Sequence, residues 1–376
     1  MKITQVEALL LRQPGLRPDI ADGSQDALVV RVHTDEGIVG LGEIDSSPYV
    51  AKSVIDAPVS HTVSSGLRDV LIGQDPFEIA YLWDLMYRSS LYYGRRGVAI
   101  HAISGIDIAL WDIVGQATGQ PIYKLLGGGH CDRVKAYAST LMPDTPDEVR
   151  RVVADSIEAG FRAIKLGWGP LGQDPAQDVA LGAAARAAAG PDVDIMIDVG
   201  LGWRDTNRAI DTARRIEEYR PYWIEEPFMP DEVAGYARLA AAMDTRIAAG
   251  EQESTRWGFQ AFLDAAHVDV IQPDVTRAGG LTECRRIAEL ARERGVELVP
   301  HSWSTGIIKA ASLHLIATLF SPTYFEYCNQ DSVLNRRLVV EQFPLTDGYV
   351  AIPQEPGLGI HLDDRYIDEY LVGRST

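Results

Sequence analysis

Eight short apolar runs, each followed by an amphipathic helical stretch, constrain the fold of this chain more than any other feature. They are VKAYAS from Val134, AIKL from Ala163, DIMID from Asp194, WIEE from Trp223, RIAAGE from Arg246, DVIQPD from Asp269, ELVPH from Glu297 and YFEYC from Tyr324. Strand and helix alternating eight times is the pattern of a (β/α)8 barrel. The stretches between the runs carry helix signals. Thr145-Pro146-Asp147-Glu148 is a capping box with proline at the first helical position, and Val149, Val152, Val153 and Ile157 follow on one face. Gly160 stops that helix. Leu281, Cys284, Ile287, Ala288 and Leu290 repeat the pattern, and Gly295 ends it.

The chain before Gly127 has a different rhythm. Ile3–Leu11, Ala27–Val32 and Ile38–Glu43 read as a three-stranded meander, and helical pattern runs from Pro76 to about Leu125. Strands followed by a block of helices indicate a small α+β domain. The expected fold is therefore α/β: a modified (β/α)8 TIM barrel over 127–349 preceded by an N-terminal α+β domain over 1–126. A C-terminal segment of about 350–376 is expected to pack back on that first domain.

The site is read from the strand ends. They fall at Lys165, Asp198, Glu225, Glu251, Asp274, His301 and Glu326, and from Asp198 onward the spacings are 27, 26, 23, 27 and 25 residues, about one βα unit each. Side chains at the C-terminal ends of barrel strands converge on one mouth. A single acid there could equally cap the next helix. Five acids, a lysine and a histidine on successive ends mark a site. Clustered carboxylates repel and need a cation or protons, and an oxygen donor set without cysteine or paired histidine favours Mg²⁺ over zinc. Asp198, Glu225 and Glu251, on adjacent strands, are the expected metal ligands. Asp274 beside His301 would fix the imidazole tautomer and raise its basicity, making a general base. Lys165, across the barrel, could bind a carboxylate or take a proton. Metal, base and cation together describe removal of the proton next to a carboxylate, with Mg²⁺ stabilising the enediolate.

Composition excludes other classes. The balance of 35 Lys+Arg against 53 Asp+Glu gives a net charge of −18, which argues against nucleic-acid and anionic-membrane partners. Cys131, Cys284 and Cys328 lie far apart, without disulfide or metal spacing, and read as small buried residues in a reducing compartment. The N-terminal apolar run is too short for a signal peptide, and no apolar stretch approaches the roughly 20 residues of a membrane span. A cytoplasmic protein is expected.

At these residues the sequence resembles the enolase superfamily, in its mandelate racemase and muconate-lactonising branch. AISGIDIALWDIVGQATGQPIYKLLG at Ala102–Gly127 is similar to that branch's first signature, and GIVGLGE at Gly37–Glu43 to its N-terminal capping domain. GFRAIK at Gly160–Lys165, WIEEP at Trp223–Pro227, AGE at Ala249–Glu251, QPD with Gly279-Gly280, Pro300-His301 and PGLGI at Pro356–Ile360 extend the likeness over nearly the whole chain. The resemblance implies Mg²⁺ on Asp198, Glu225 and Glu251, an Asp274–His301 dyad, and an acidic group at Glu326 able to hydrogen-bond substrate. It also suggests an even-numbered homo-oligomer.

Two positions depart from the pattern. Gly200 stands where the family usually has asparagine, two residues after the first metal ligand. Gly167 stands where many relatives carry the second lysine of Lys-x-Lys, a base. Two-base racemisation needs a base on each face, so a single base, His301, points to dehydration of a sugar acid (aldonate or aldarate). Lactone cycloisomerisation or epimerisation, with Lys165 as second base, is the alternative, and a non-enzymatic sugar-acid-binding barrel is the reading from another class. Among neighbouring residues, Glu226 reads as a salt-bridging or structural partner and His314 as a core residue. Trp168 could wall the site where the missing base would stand, or pack between loops. The loops 16–25 and 46–50 could close over the mouth, with Arg17 and Tyr49 reading substrate.

Overall fold

The computed structural model describes residues 1–375. Its first three strands, β1 (Ile3–Arg12), β2 (Asp26–Thr34) and β3 (Val39–Ile44), form the expected antiparallel meander. The helix Val98–Thr118 lies against β3 at very short range, because a β-carbon on Gly42 would stand 1.9 Å from the Gly105 carbonyl oxygen and one on Gly40 2.1 Å from that of Ala109. Only glycine permits that approach. By length and composition this 21-residue helix could cross a membrane, contrary to the sequence expectation, but most of it is buried inside the fold as a core helix.

The eight expected runs all form strands: β4 (Arg133–Leu141), β5 (Ala163–Gly167), β6 (Asp194–Asp198), β7 (Trp223–Glu225), β8 (Arg246–Ala249), β9 (Val270–Ile271), β10 (Glu297–Leu298) and β11 (Tyr324–Cys328). They are parallel neighbours in the order β10-β9-β8-β7-β6-β5-β4-β11. Tyr137, Ala163, Met196, Trp223, Ala248, Val270, Val299 and Tyr324 meet in one buried cluster drawn from all eight staves, so the sheet curls around a packed interior. Among the described residues no ladder joins β10 to β11. Side chains bridge that seam instead: Thr323 donates to Glu297, and the Ser302 amide donates to Glu326 Oε2 at 2.7 Å.

After the barrel, β12 (Tyr349–Ala351) pairs with the start of β4, and β13 (Leu371–Arg374) adds an edge strand to β1. The Ser375 amide continues this pairing to Ala8 at 3.0 Å; Thr376, also in the expected segment 350–376, lies outside the described residues.

Three buried carboxylates anchor the N-terminal elements, Glu43 and Asp107 to barrel helices and Asp112 to the C-terminal segment. Glu43 accepts from Thr305 Oγ1 (2.7 Å) and the amides of Thr305 (3.3 Å) and Ile308 (2.9 Å), capping the helix Gly306–Ala317. Asp107 accepts from the Thr282 amide at 3.0 Å, at the start of the helix Gly280–Arg294. Asp112 accepts from the amides of Leu41 (2.9 Å) and Leu358 (2.8 Å). Burial pushes Glu43 and Asp107 up to about 7 and Asp112 to about 6. The physical content of GLGE and SGIDIALWD is this close packing and these clamps.

Candidate active site

Five of the seven strand-end residues share one cleft, and Glu225 and Asp274 lie behind it, against Lys165 and His301. Lys165, Asp198, Glu251, His301 and Glu326 line one cleft at the barrel mouth, of about 320 Å³. Asp198 and Glu225 are direct neighbours across the β6–β7 ladder. Asp198, Glu225 and Glu251 are each at most 4% exposed. Burial raises the Asp198 pKa well above the carboxylate range, and the charges of Glu225 and Glu251 add to it; Glu225 is raised in the same way, by burial and then by Glu326 and Glu251. This mutual repulsion is what a cation bound among them would relieve.

Among the described residues Lys165 is the cation closest to Asp198 and Glu225, while Arg277 Nη1 stands 3.9 Å from Glu251 Oε1. Lys165 Nζ lies 2.5 Å from Glu225 Oε1, 2.8 Å from Glu326 Oε1 and 3.9 Å from Asp198 Oδ2. Burial opposes its charge, but Glu225 and Glu326 overcome that, so the side chain is held as an ammonium. Glu326 has both oxygens engaged, Oε1 also by Ser139 Oγ (2.7 Å) and Oε2 by the Ser302 amide. Burial works against its charge, yet Lys165 and His301 bring it down to about 2.

His301 Nδ1 is 2.6 Å from Asp274 Oδ2, and its Nε2 is 3.3 Å from Glu251 Oε2. Asp274 is itself fixed by Thr276, through the amide and hydroxyl, both at 2.6 Å to Oδ1. Burial disfavours a charged imidazole, but Glu251, Glu326 and the Asp274 hydrogen bond raise His301 to about 10.

Asp45, Asp274 and His301 also bring ligand atoms within 4.8 Å of one another. That group already holds a cation: Arg277 Nη2 is 2.6 Å from Asp45 Oδ2, and Arg277 Nε is 3.7 Å from Asp274 Oδ2. A metal there would have to displace a partly buried guanidinium. The three-carboxylate group at Asp198, Glu225 and Glu251 is the better donor set for a hard cation.

The neighbouring residues sort clearly. Glu226 makes hydrogen bonds, not a salt bridge: it accepts from the Gly250 amide (2.7 Å) and Tyr236 hydroxyl (2.9 Å), bracing the turn that carries Glu251. His314 is fully buried between the Tyr123 amide and the Leu358 carbonyl. Trp168 lines the cleft. The first loop reaches the mouth through Ala21, Asp22 and Gly23, and Trp303 Nε1 donates to Asp22 Oδ1 at 3.2 Å. Arg17 pairs instead with Asp19 in solvent, and Tyr49 is exposed beneath the Arg12 guanidinium; neither lines the cleft. Sequence reasoning missed Arg277, Ser139 and Asp45. Arg277 was signalled only by a basic residue three positions after Asp274, and Ser139 by a hydroxyl at the end of the first barrel strand.

Comparison with known proteins decides the family. A model of the mandelate racemase / muconate lactonizing enzyme N-terminal domain matches residues 19–127, and one of the enolase C-terminal domain-like fold matches 148–366. The chain belongs to the enolase superfamily, in its mandelate racemase and muconate-lactonising branch. Among enolase-superfamily relatives, an arabinonate dehydratase of Saccharolobus solfataricus is 33% identical over 93% of this chain and 92% of its own. A D-galactarolactone cycloisomerase of Agrobacterium fabrum is 34% identical over 98% of this chain and 99% of its own. The crystal structure of the 3,6-anhydro-D-galactonate cycloisomerase from Zobellia galactanivorans superposes with a TM-score of 0.90 at 33% identity, over 99% of this chain and 100% of that one.

Proposed function

We propose that this enolase-superfamily chain is a Mg²⁺-dependent lyase that dehydrates a sugar acid, with His301 as base. The observation that carries the reading is the asymmetry of the cleft: an Asp274–His301 dyad on one side, and on the other a lysine locked as an ammonium between Glu225 and Glu326, with Gly167 where a second base would stand. In this reading Asp198, Glu225 and Glu251 hold the Mg²⁺, and their buried, mutually repelling carboxylates support that role. When bound, Mg²⁺ supplies positive charge against the substrate carboxylate as negative charge develops there.

The protein's own groups supply the rest. His301 takes the α-proton at Nε2 in its neutral form, which requires Glu251 to be neutralised by a bound cation, because that carboxylate's charge otherwise does most to hold the imidazole protonated; Asp274 holds Nδ1 and steadies the imidazolium that forms. The electron pair left on the α-carbon forms the enediolate and then expels the β-hydroxyl, which takes the same proton from His301 and departs as water. The enol product rearranges to a 2-keto-3-deoxy acid. Lys165 stands by the developing charge as a fixed cation, and Glu326 with Ser139 keeps it there. In this assignment 1–126 caps the mouth, with the segment from about 350 packed back on it, and 127–349 carries the chemistry.

The second reading is lactone cycloisomerisation, favoured by the near end-to-end match to the two cycloisomerases. It uses the same proton removal, with a ring oxygen as leaving group. A screen of aldonates, aldarates and their lactones, followed by proton NMR in D₂O, separates the two: a keto-deoxy acid from an open-chain acid marks the dehydratase, and ring opening the cycloisomerase. If the His301→Asn protein still exchanges the α-proton of the true substrate at the wild-type rate, His301 is not the base. A cytoplasmic, even-numbered homo-oligomer completes the proposal. Light scattering tests the assembly.

A further inference from the structure

Strand β11 has two faces. Glu326 turns into the barrel mouth, while the next residue, Tyr327, lines a separate cavity of about 670 Å³ on the outer side of the barrel. The helix Gly306–Ala317, the short helix Val333–Arg337 and the chain around Asp363–Tyr366 complete its walls. None of the strand-end residues of the active site lines it; Glu326 is only the chain neighbour of Tyr327.

Lys309 forms part of this lining and is 4% exposed. Its Nζ lies 4.4 Å from the centre of the Tyr327 ring, and among the described residues it has no carboxylate or carbonyl partner. Asn335, also 4% exposed, donates through Nδ2 to the carbonyls of Cys328 (3.2 Å) and Gln330 (2.8 Å), but its buried Oδ1 has no donor. The rim carries Arg336, Arg337 and Arg365 against Glu341 and Asp363. With Lys309 that is four cations against two acids in the lining, and Asp331, just outside it, pairs with Arg336 at 3.4 Å, which leaves a local +1 in a chain of net −18. Both lining acids are already engaged, Asp363 by Arg365 at 2.7 Å and Glu341 by His361 at 2.8 Å.

A buried ammonium without an acceptor and a buried amide oxygen without a donor are both costly, and they ask for opposite things. A water molecule could satisfy Asn335 but brings no charge to Lys309. A bare anion could satisfy Lys309 but has no proton for Asn335. We propose that this cavity binds a small polyhydroxylated anion, a sugar acid or sugar phosphate, with its anionic group on Lys309 and a hydroxyl donating to Asn335 Oδ1. Tyr327 and Phe161 supply the apolar wall against which the C–H face of such a ligand packs. The site is independent of the reaction assigned to the barrel mouth.

The test is calorimetry and thermal shift on the full chain in EDTA, with D-gluconate, glucose 6-phosphate, inorganic phosphate and sorbitol as probes. Gluconate or glucose 6-phosphate should bind saturably, and the tighter of the two identifies the anionic group. Inorganic phosphate should bind at least tenfold more weakly and sorbitol not at all. Lys309→Met, similar in length but uncharged, should remain folded and lose the binding at least tenfold, while Lys309→Arg retains it. Absence of binding by both hydroxylated anions, undiminished binding by Lys309→Met, or phosphate binding as tightly as glucose 6-phosphate would overturn the proposal.

Discussion

The indole of Trp168 rests against Gly200: a β-carbon at 200 would stand 2.6 Å from Trp168 Cδ2. Both residues have positive φ, 59° and 60°. The two departures from the family pattern are thus linked through one side chain. Gly167 precedes the tryptophan, and Gly200 makes room for its ring where an asparagine would collide with it.

Gly200→Ala should therefore displace the indole from the cleft wall as well as strain the backbone. A loss of about 1–3 kcal/mol in urea denaturation is expected, with a fall in kcat/KM. In a Trp168→Ala background the added loss from Gly200→Ala should shrink, leaving the backbone part. Strictly additive losses would mean that the two residues act separately.

Restoring a lysine at the strand end should not create a racemase. A β-carbon on Gly167 would meet Asp198 Cβ and Oδ2 at 2.6 Å, so Gly167→Lys must push a proposed metal ligand aside. The expected result is Mg²⁺ affinity lowered tenfold or more, with no proton exchange at the face opposite His301. Calorimetric titration of Mg²⁺ and NMR in D₂O read the two effects. Unchanged affinity would remove Asp198 from the ligand set.

Lys165 neutralises a corner that holds several carboxylates. Lys165→Met should cost about 3–5 kcal/mol in metal-free protein, because buried acids lose their partner. Mg²⁺ should then raise the melting temperature of Lys165→Met by more than it raises that of wild type, since it takes over the neutralisation. A smaller shift in the variant would place the metal elsewhere. Lys165→Arg, which keeps the charge, should lose less stability.

The Glu43 clamp makes a signed pH prediction. Its folded pKa of about 7 lies above the ordinary glutamate value of 4.5, so the folded state binds the extra proton between them. Its stabilising contribution is full below about pH 4.5 and is lost as pH rises through 7. Asp107 and Asp112 act in the same direction. Urea denaturation of metal-free protein from pH 5 to 8 should show stability falling, with Glu43 responsible for up to about 3 kcal/mol. Glu43→Gln should be less stable at pH 5, because an amide accepts fewer hydrogen bonds, yet should show a flatter slope. An equally steep slope would exclude Glu43 as its source.

The barrel was legible because its information is local and periodic. Each strand and its helix signal themselves within some 25 residues, and Asp198, Glu225 and Glu251 recur at that period. What escaped the sequence joins distant chain. Arg277 meets Asp45 across 232 positions, Glu43 meets Thr305 across 262, and Ser139 meets Glu326 across 187. No spacing rule announces such pairs. The choice of Arg17 and Tyr49 as substrate readers failed for a related reason: loop polarity marks a loop as exposed but not which residue of it faces the cleft. In the first loop that residue is Asp22, held by Trp303.

The unpaired seam beside β10 has a mechanical consequence. The strand leading to His301 is fastened to β9 by two ladder pairs, Glu297 with Val270 and Leu298 with Ile271, and among the described residues has no ladder on its other edge. The Glu297 and Val299 amides donate to the Asp269 and Ile271 carbonyls, both at 3.1 Å, but among the described residues no ladder secures the edge toward β11, so hydrogen exchange is expected to be fastest at that edge. The wall of the mouth that carries the dyad is thus the one that yields at least cost, letting the cleft adjust its width around bulky sugar acids while the corner at Asp198 and Glu225 stays rigid.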